Sequence, residues 1–171
     1  MQAQLSAIPE TLVTKPIVIR PYLPADRTQI FWLLPRLAST YPGGLEWLDG
    51  KLHAARDGLV TCLVATLANR AIGVLIESPK GARAAKLSTL AVAAPFRRLQ
   101  IGTQLVAIRK SVWCMNEIEK IHVTMEADLA PSVGPFFARF GFTETAWCVD
   151  RYGPGRDELV MSWRPDSGHE A

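Results

Sequence analysis

Residues 86–106 read Lys86-Leu-Ser-Thr-Leu-Ala-Val-Ala-Ala-Pro-Phe-Arg-Arg-Leu-Gln-Ile-Gly-Thr-Gln-Leu-Val106, and the order of residue types here decides the fold. The first seven residues are largely apolar and include β-branched Thr89 and Val92, the composition of a buried strand. Ala94-Pro95 breaks it. From Ile101 the apolar residues Ile101, Leu105, Ile108, Val112 and Met115 step by four and three, which sets them on one helical face. Strand, basic loop, helix start is an order that points backbone N–H groups and the positive helix end at one spot. Arg97 and Arg98 supply countercharge, so the loop reads as the anion-binding centre for a nucleotide-type cofactor.

Outward from this stretch the pattern stays mixed. Ile17–Arg20 predicts a first strand, ended by Pro21 and Pro24. A helix is expected from about Asp26 to Leu37, ended or kinked by Pro35. Residues 39–44 form a loop, and Leu45–Arg56 a second helix with Leu45, Leu48, Leu52 and Ala55 on one side. Leu59–Leu67 and Ala71–Glu77 read as a hairpin around 68–70. Beyond the long helix, Ile121, Val123 and Met125 alternate with His122, Thr124 and Glu126, the mark of a half-exposed strand. Pro131 and Pro135 bracket the start of a short helix that Gly141 stops. Phe142–Val149 and Glu158–Trp163 close the chain as strands. The order β α α β β β α β α β β predicts an α/β fold with one sheet.

Composition narrows the function classes. The 171 residues suit one domain (15–165) with a real core, flanked by tails at 1–14 and 166–171. A hydrophobic fraction of 49% argues against disorder. No apolar run reaches the roughly 20 residues of a membrane helix, and residues 1–14 lack a secretory pattern, so a cytoplasmic protein with no membrane partner is expected. Cys62, Cys114 and Cys148 are odd in number and widely spaced, which speaks against a disulfide framework or a metal site. A net charge of +3 favours an anionic ligand but is too mild for a nucleic-acid footprint.

Residues 97–102 resemble the acyl-CoA pyrophosphate loop of the GNAT-type N-acetyltransferase superfamily, whose pattern is Arg/Gln-x-x-Gly-x-Gly/Ala after a strand. Arg97 falls on the first position, Gly102 on the last, and Gln100 departs from the pattern at its first glycine. Pro135-Phe-Phe-Ala-Arg-Phe-Gly-Phe142 is similar to the superfamily's Leu-Tyr-x-x-x-Gly-Phe segment. The resemblance covers roughly residues 15–165. It implies a single mixed, mostly antiparallel sheet with helices on both faces, and transfer of acetyl from acetyl-CoA, as co-substrate and without a metal, to a primary amine of a small molecule or protein. A homodimer is frequent in that fold.

The same resemblance implies site residues. Leu90, Ala91 and Val92 would face the pantetheine, with a main-chain N–H of Leu90 or Ala91 on the thioester oxygen. Arg97, Arg98, Leu99, Gln100, Ile101, Gly102 and Thr103 would take the pyrophosphate, and Phe137 the cofactor tail. The usual acid, a tyrosine, falls on Phe137, which has no proton to give, and the asparagine often found seven residues earlier falls on Ala130. For the base, strand alternation puts Lys86 and Ser88 on one face. Lys86 in a partly dry cleft would have a depressed pKa, or would bind an anionic substrate. Glu126, at the end of the next strand, is a second candidate, and Glu77 a weaker one. His122 reads as structural. Tyr41, Trp47 and Tyr152 would wall the acceptor pocket. Two other readings stand beside the transferase: a non-catalytic acyl-CoA-binding or sensor protein of the same fold, which Phe137, Ala130 and Gln100 favour, and a modifier of nucleic acid or aminoacyl-tRNA.

Overall fold

The computed structural model describes residues 16–165, so both expected tails lie outside the described residues. Seven strands form one sheet in the order β1-β2-β3-β4-β5-β7-β6. They are β1 (Ile17–Pro21), β2 (Thr61–Leu67), β3 (Arg70–Pro79), β4 (Ala84–Val92), β5 (Lys120–Glu126), β6 (Thr143–Cys148) and β7 (Glu158–Trp163). Only β4 and β5 run parallel. The chain between them is the long crossover helix α4 (Ile101–Met115), the connection that parallel neighbours require. The expected mixed, mostly antiparallel sheet is the one observed.

Two cores cover the two faces. On one, α4 and α5 (Ala130–Ala138) bury Ile101, Leu105, Val106, Trp113 and Phe137 against Leu75, Leu87, Val123, Met161 and their neighbours. Phe137 and Phe142 stack edge-to-face at 5.4 Å, and Trp113 lies 5.4 Å from Trp163, so the aromatic run after Pro135 is core. On the other face, α1 (Arg27–Leu33) and α3 (Gly44–Arg56) bury Ile30, Leu48 and Leu52 against Val64, Val74 and Ile76.

Several local expectations shift. The first helix stops at Leu33, two residues before Pro35, and a one-turn helix α2 (Leu37–Thr40) takes up part of the expected loop. Gly44 is required there: a Cβ would sit 2.5 Å from the Leu37 carbonyl oxygen. The second strand begins at Thr61 and leaves Leu59 exposed. Pro135 lies inside α5 rather than at its start. In α4, Ile108 and Met115 are exposed, while Val106 and Trp113 are buried. The four-three stripe lies at the edge of the buried face: at about 100° per residue Val106 and Trp113 sit about 120–140° round the helix from Ile101, on the side away from Ile108 and Met115.

The faces are held by two partly buried ion pairs. Glu77 on β3 accepts from Arg109 at 2.8 and 3.0 Å and from the Trp113 indole at 2.7 Å, fastening α4 to the sheet. Asp26 accepts from Arg20 at 2.7 and 2.8 Å and from the Leu23 N–H at 2.9 Å, fixing the entry to α1 against β1. Burial pushes the Asp26 carboxyl up, but the Arg20 pair and the Leu23 N–H outweigh it and hold it below its ordinary range.

Candidate functional site

Strand β4 pairs with β5 only from Ala84 to Leu87, after which β5 continues against β7 alone. The strands therefore part, and residues 88–92 border a wedge-shaped gap. A bulge in β4 sits at the parting: Glu77 is opposite Leu87 and Ile76 opposite Thr89, so Ser88 is the unpaired extra residue. The extra residue reverses the alternation. Lys86 and Ser88 point to the α3 face with Thr89, whereas Leu90 and Val92 join Leu87 on the α4 face. The Ala93 N–H donates to the Ile72 carbonyl at 2.8 Å; alternation then turns Ala91 toward β3 and aims the N–H groups of Leu90 and Val92 into the gap.

On the α4 face the gap opens into a cleft of about 470 Å³, lined by Leu90, Val92, Phe96, Arg97, Arg98, Gln100, Ile101, Gly102, Thr103 and, from α5 and just beyond it, Ser132, Val133, Phe136, Phe137 and Arg139. Ala91 and Leu99 are not among these residues. Ala91 packs on the opposite core, and Leu99 is exposed. Arg98 (φ 66°) and Gln100 (φ 61°) are both left-handed, so the position of the pattern's first glycine has a glycine's backbone while carrying a glutamine. Gln100 caps α4, and the first intrahelical bond closes from Gln104 N–H to the Gln100 carbonyl. The N–H groups of Ile101, Gly102 and Thr103 are thus unpaired within the helix. Among the described residues three arginines and no carboxylate line this cleft, beside the apolar trough of Leu90, Val92 and Phe136. A ligand with a polyanionic head and a slender tail, such as coenzyme A, fits that donor set. Arg97 also donates to the Val92 carbonyl at 3.1 Å, tying the loop to the strand end.

On the α3 face lies a pocket of about 310 Å³, lined by Leu37, Tyr41, Pro42, Gly44, Trp47, Lys51, Lys80, Lys86, Ser88, Thr89, Thr124 and Tyr152. Tyr41 and Tyr152 meet edge-to-face at 5.0 Å. The Tyr152 hydroxyl donates to Glu158 at 2.6 Å, and burial followed by that carboxylate pushes its pKa up. Burial lowers the Lys86 pKa; the Glu158 charge opposes this, and Lys80, Arg151 and Lys51 add to it. Tyr41, Trp47, Tyr152, Lys86 and Ser88 are thus brought together as the alternation and the resemblance suggested.

Glu126 stands apart from that lining. Its Oε1 is taken by Arg156 at 2.6 Å, and the same guanidinium donates to the Thr40 carbonyl at 2.7 Å. Glu77 is on the other face, bound to Arg109. His122 is half-buried on β5, where burial, then Lys86, lowers its pKa. Sequence reasoning missed Glu158, 5% exposed and opposite Glu126 in the β5–β7 register, together with Arg156, Lys51 and Lys80. Lys51 shared the helix whose period was read, but its polar face carried no signal of what it faces.

Among the described residues no helix is long and apolar enough to cross a membrane, and no group of three or more His, Cys, Asp or Glu is placed to hold a metal. No curated protein sequence matches the chain. The sequence model of the acetyltransferase (GNAT) domain matches residues 49–153. Among solved structures, Ard1 from Thermoplasma volcanium superposes with a TM-score of 0.73 at 21% identity, covering 86% of this chain and 97% of that one. The ribosomal-protein-S18-alanine N-acetyltransferase from Escherichia coli gives 0.72 at 13%, covering 87% and 94%. PaiA N-acetyltransferase from Thermoplasma acidophilum, in complex with coenzyme A, gives 0.66 at 17%, covering 87% and 99%.

Proposed function

Because the chain belongs to the GNAT acetyltransferase family, we propose that it moves an acetyl group from acetyl-CoA to a primary amine. The observation that carries this reading is the parting of β4 from β5 between the two clefts. Consecutive residues of one strand line both, Ser88 and Thr89 the acceptor side and Leu90 and Val92 the cofactor side. A thioester laid along β4 would meet an amine from the α3 face at that point.

In the proposed reaction the amine nitrogen attacks the thioester carbonyl carbon. The C–N bond forms, the C–S bond breaks, the amine gives up a proton and the departing sulfur gains one. The Leu90 N–H donates to the carbonyl oxygen as negative charge gathers there. The helix α4 amides, with Arg97 and Arg98, hold the diphosphate. Lys86, its pKa depressed by burial, takes the amine proton; Ser88 stands beside it, its hydroxyl 3.3 Å from the Lys86 carbonyl. Glu126 acts through Arg156, as a positioning residue for the Tyr41–Tyr152 wall. Phe137 has nothing to donate, so the sulfur's proton comes from solvent. The unpaired Cys114, exposed at the surface, suits the reducing cytoplasm that belongs to the same proposal.

Thiol release from acetyl-CoA over a panel of primary amines tests the reading. Turnover is expected to rise with pH along a limb lying below that of an ordinary lysine, and Lys86→Met is expected to abolish that limb while CoA binding survives. Tight CoA binding with no turnover on any amine would support instead the acyl-CoA sensor, the reading that Phe137 favours.

A further inference from the structure

We infer that the amine accepted by the α3-face pocket carries an anionic group, a carboxylate or a phosphate, held by Lys51 and Lys80. This rests on the transferase reading and adds the class of acceptor.

Among the described residues three lysines line the pocket and no carboxylate does. None of the ion pairs among the described residues uses a lysine. Among the described residues the Lys51 ammonium has a single hydrogen-bond partner, the Ser78 hydroxyl at 2.8 Å, and Ser78 leads on to Ser88 at 3.3 Å. The Trp47 ring lies 5.8 Å from the same ammonium and helps fix it. Glu158, whose charge acts on Lys86, is already engaged: Tyr152 donates to it at 2.6 Å and Arg151 lies 3.8 Å away.

Cations gathered in a partly dry pocket repel one another and lose hydration; Glu158 offsets part of that cost at Lys86, but among the described residues no carboxylate pairs with Lys51 or Lys80. Burial, then the charge of Lys80, lowers the Lys51 pKa, which marks the two as close enough to feel each other. An incoming anion would relieve both penalties at once. With Lys51 and Lys80 holding the anion, Lys86 is left to take the proton a short way along β4. Tyr41, Trp47 and Tyr152 give the acceptor's carbon frame an apolar wall, and about 310 Å³ suits a small molecule.

The test pairs amines that differ in one group: phenylalanine against 2-phenylethylamine for the carboxylate, phosphoethanolamine against ethanolamine for the phosphate. In at least one pair the anionic member is expected to lead by about tenfold in kcat/KM, the size of one charge-assisted contact. Lys51→Gln and Lys80→Gln are each expected to cut that ratio by about fivefold, mainly through KM, with Lys51→Arg restoring it. A separate arm needs no turnover. 3-Phenylpropionate and phenyl phosphate, which carry no amine, are titrated calorimetrically into the CoA-saturated protein, and binding weakened about fivefold or more by either Gln variant is expected. If no amine is acetylated yet these anions bind through the lysines, the transferase reading fails and the anion site stands. If amines are acetylated with no anionic preference and the anions bind equally to wild type and both variants, or to none of the three, the inference is overturned while the transferase reading stands.

Discussion

The proposed cofactor cleft and the proposed acceptor pocket lie on opposite faces of β4 and are made in different ways. The first takes most of its lining from one continuous stretch, residues 90–103, closed by α5 and Arg139 beyond it. The second draws on α2, the loop to α3, α3 itself, the loop after β3, β4, β5 and the loop before β7. A diphosphate can be held by backbone N–H groups and a helix end, and such groups come from consecutive residues. Discriminating one amine from another needs side chains converging from several directions, and only a folded sheet supplies those. The cofactor side is therefore a local motif placed by its neighbours, while the acceptor side is a product of topology.

That contrast can be broken or sharpened by four variants. Glu77→Ala strips the partner from Arg109 and the Trp113 indole under α4, and a loss of about 3–5 kcal/mol is expected in urea unfolding. At sub-denaturing conditions CoA affinity should fall before anion binding on the α3 face does. Equal loss on both sides would show that the two clefts are not separable.

Asp26→Asn tests the other face. With Arg20 and the Leu23 N–H left under-satisfied, about 2 kcal/mol of stability is expected to go at neutral pH. Since the folded Asp26 pKa is depressed, its contribution is present above the unfolded value and lost as pH falls through the folded one. The gap between wild type and variant should therefore be constant near neutrality and close in the acid range. A gap that widens in acid would contradict the assignment.

Deleting Ser88 removes the bulge and leaves every other β4 side chain on its present face, because Ser88 is the residue without an opposite number on β3. The chain is expected to fold with stability within about 1–2 kcal/mol of wild type. A regular β4 should close toward β5, with CoA affinity and turnover both falling about tenfold, about 1.4 kcal/mol. Unchanged turnover would separate the bulge from the gap.

The smallest effect belongs to Gln100→Gly. Its left-handed strain of about 1–2 kcal/mol is relieved, and glycine's added chain entropy of about 0.5–1 kcal/mol is deducted, so a net gain near 0.5 kcal/mol should appear as a slightly higher Tm. CoA affinity is expected within about threefold of wild type, since the backbone already has a glycine's conformation; a tenfold loss would make the Gln100 amide a ligand.

Legibility in the sequence followed the same divide. The loop at 97–103 and the helix beginning at Ile101 were readable because a strand, a breaker, two arginines and a helical period follow one another in a single stretch, although the left-handed turns at Arg98 and Gln100 carry no glycine to announce them. That Tyr41, Trp47 and Tyr152 line one pocket was suggested by the resemblance, not by spacing. Glu158, Arg156, Lys51 and Lys80 escaped because polar residues on strand ends and exposed helix faces look alike until the sheet assigns their neighbours. Glu126 was read by its place at the end of β5, but its engagement by Arg156 across 30 positions has no signal in either segment.

By itself the sequence determined the alternation of elements, the strand–basic loop–helix unit at 86–106 and, through it, the class of fold, since hydrophobic period and turn chemistry are local properties. Alternation along the chain put Lys86 and Ser88 on one face, but the tertiary structure alone decided that Leu90 and Val92 leave that face. One unpaired residue, Ser88, shifts the period-two pattern, leaving Lys86 on the α3 face and turning Leu90 to the α4 face. A bulge is set by the register against β3, a relation between strands that no single stretch of chain contains.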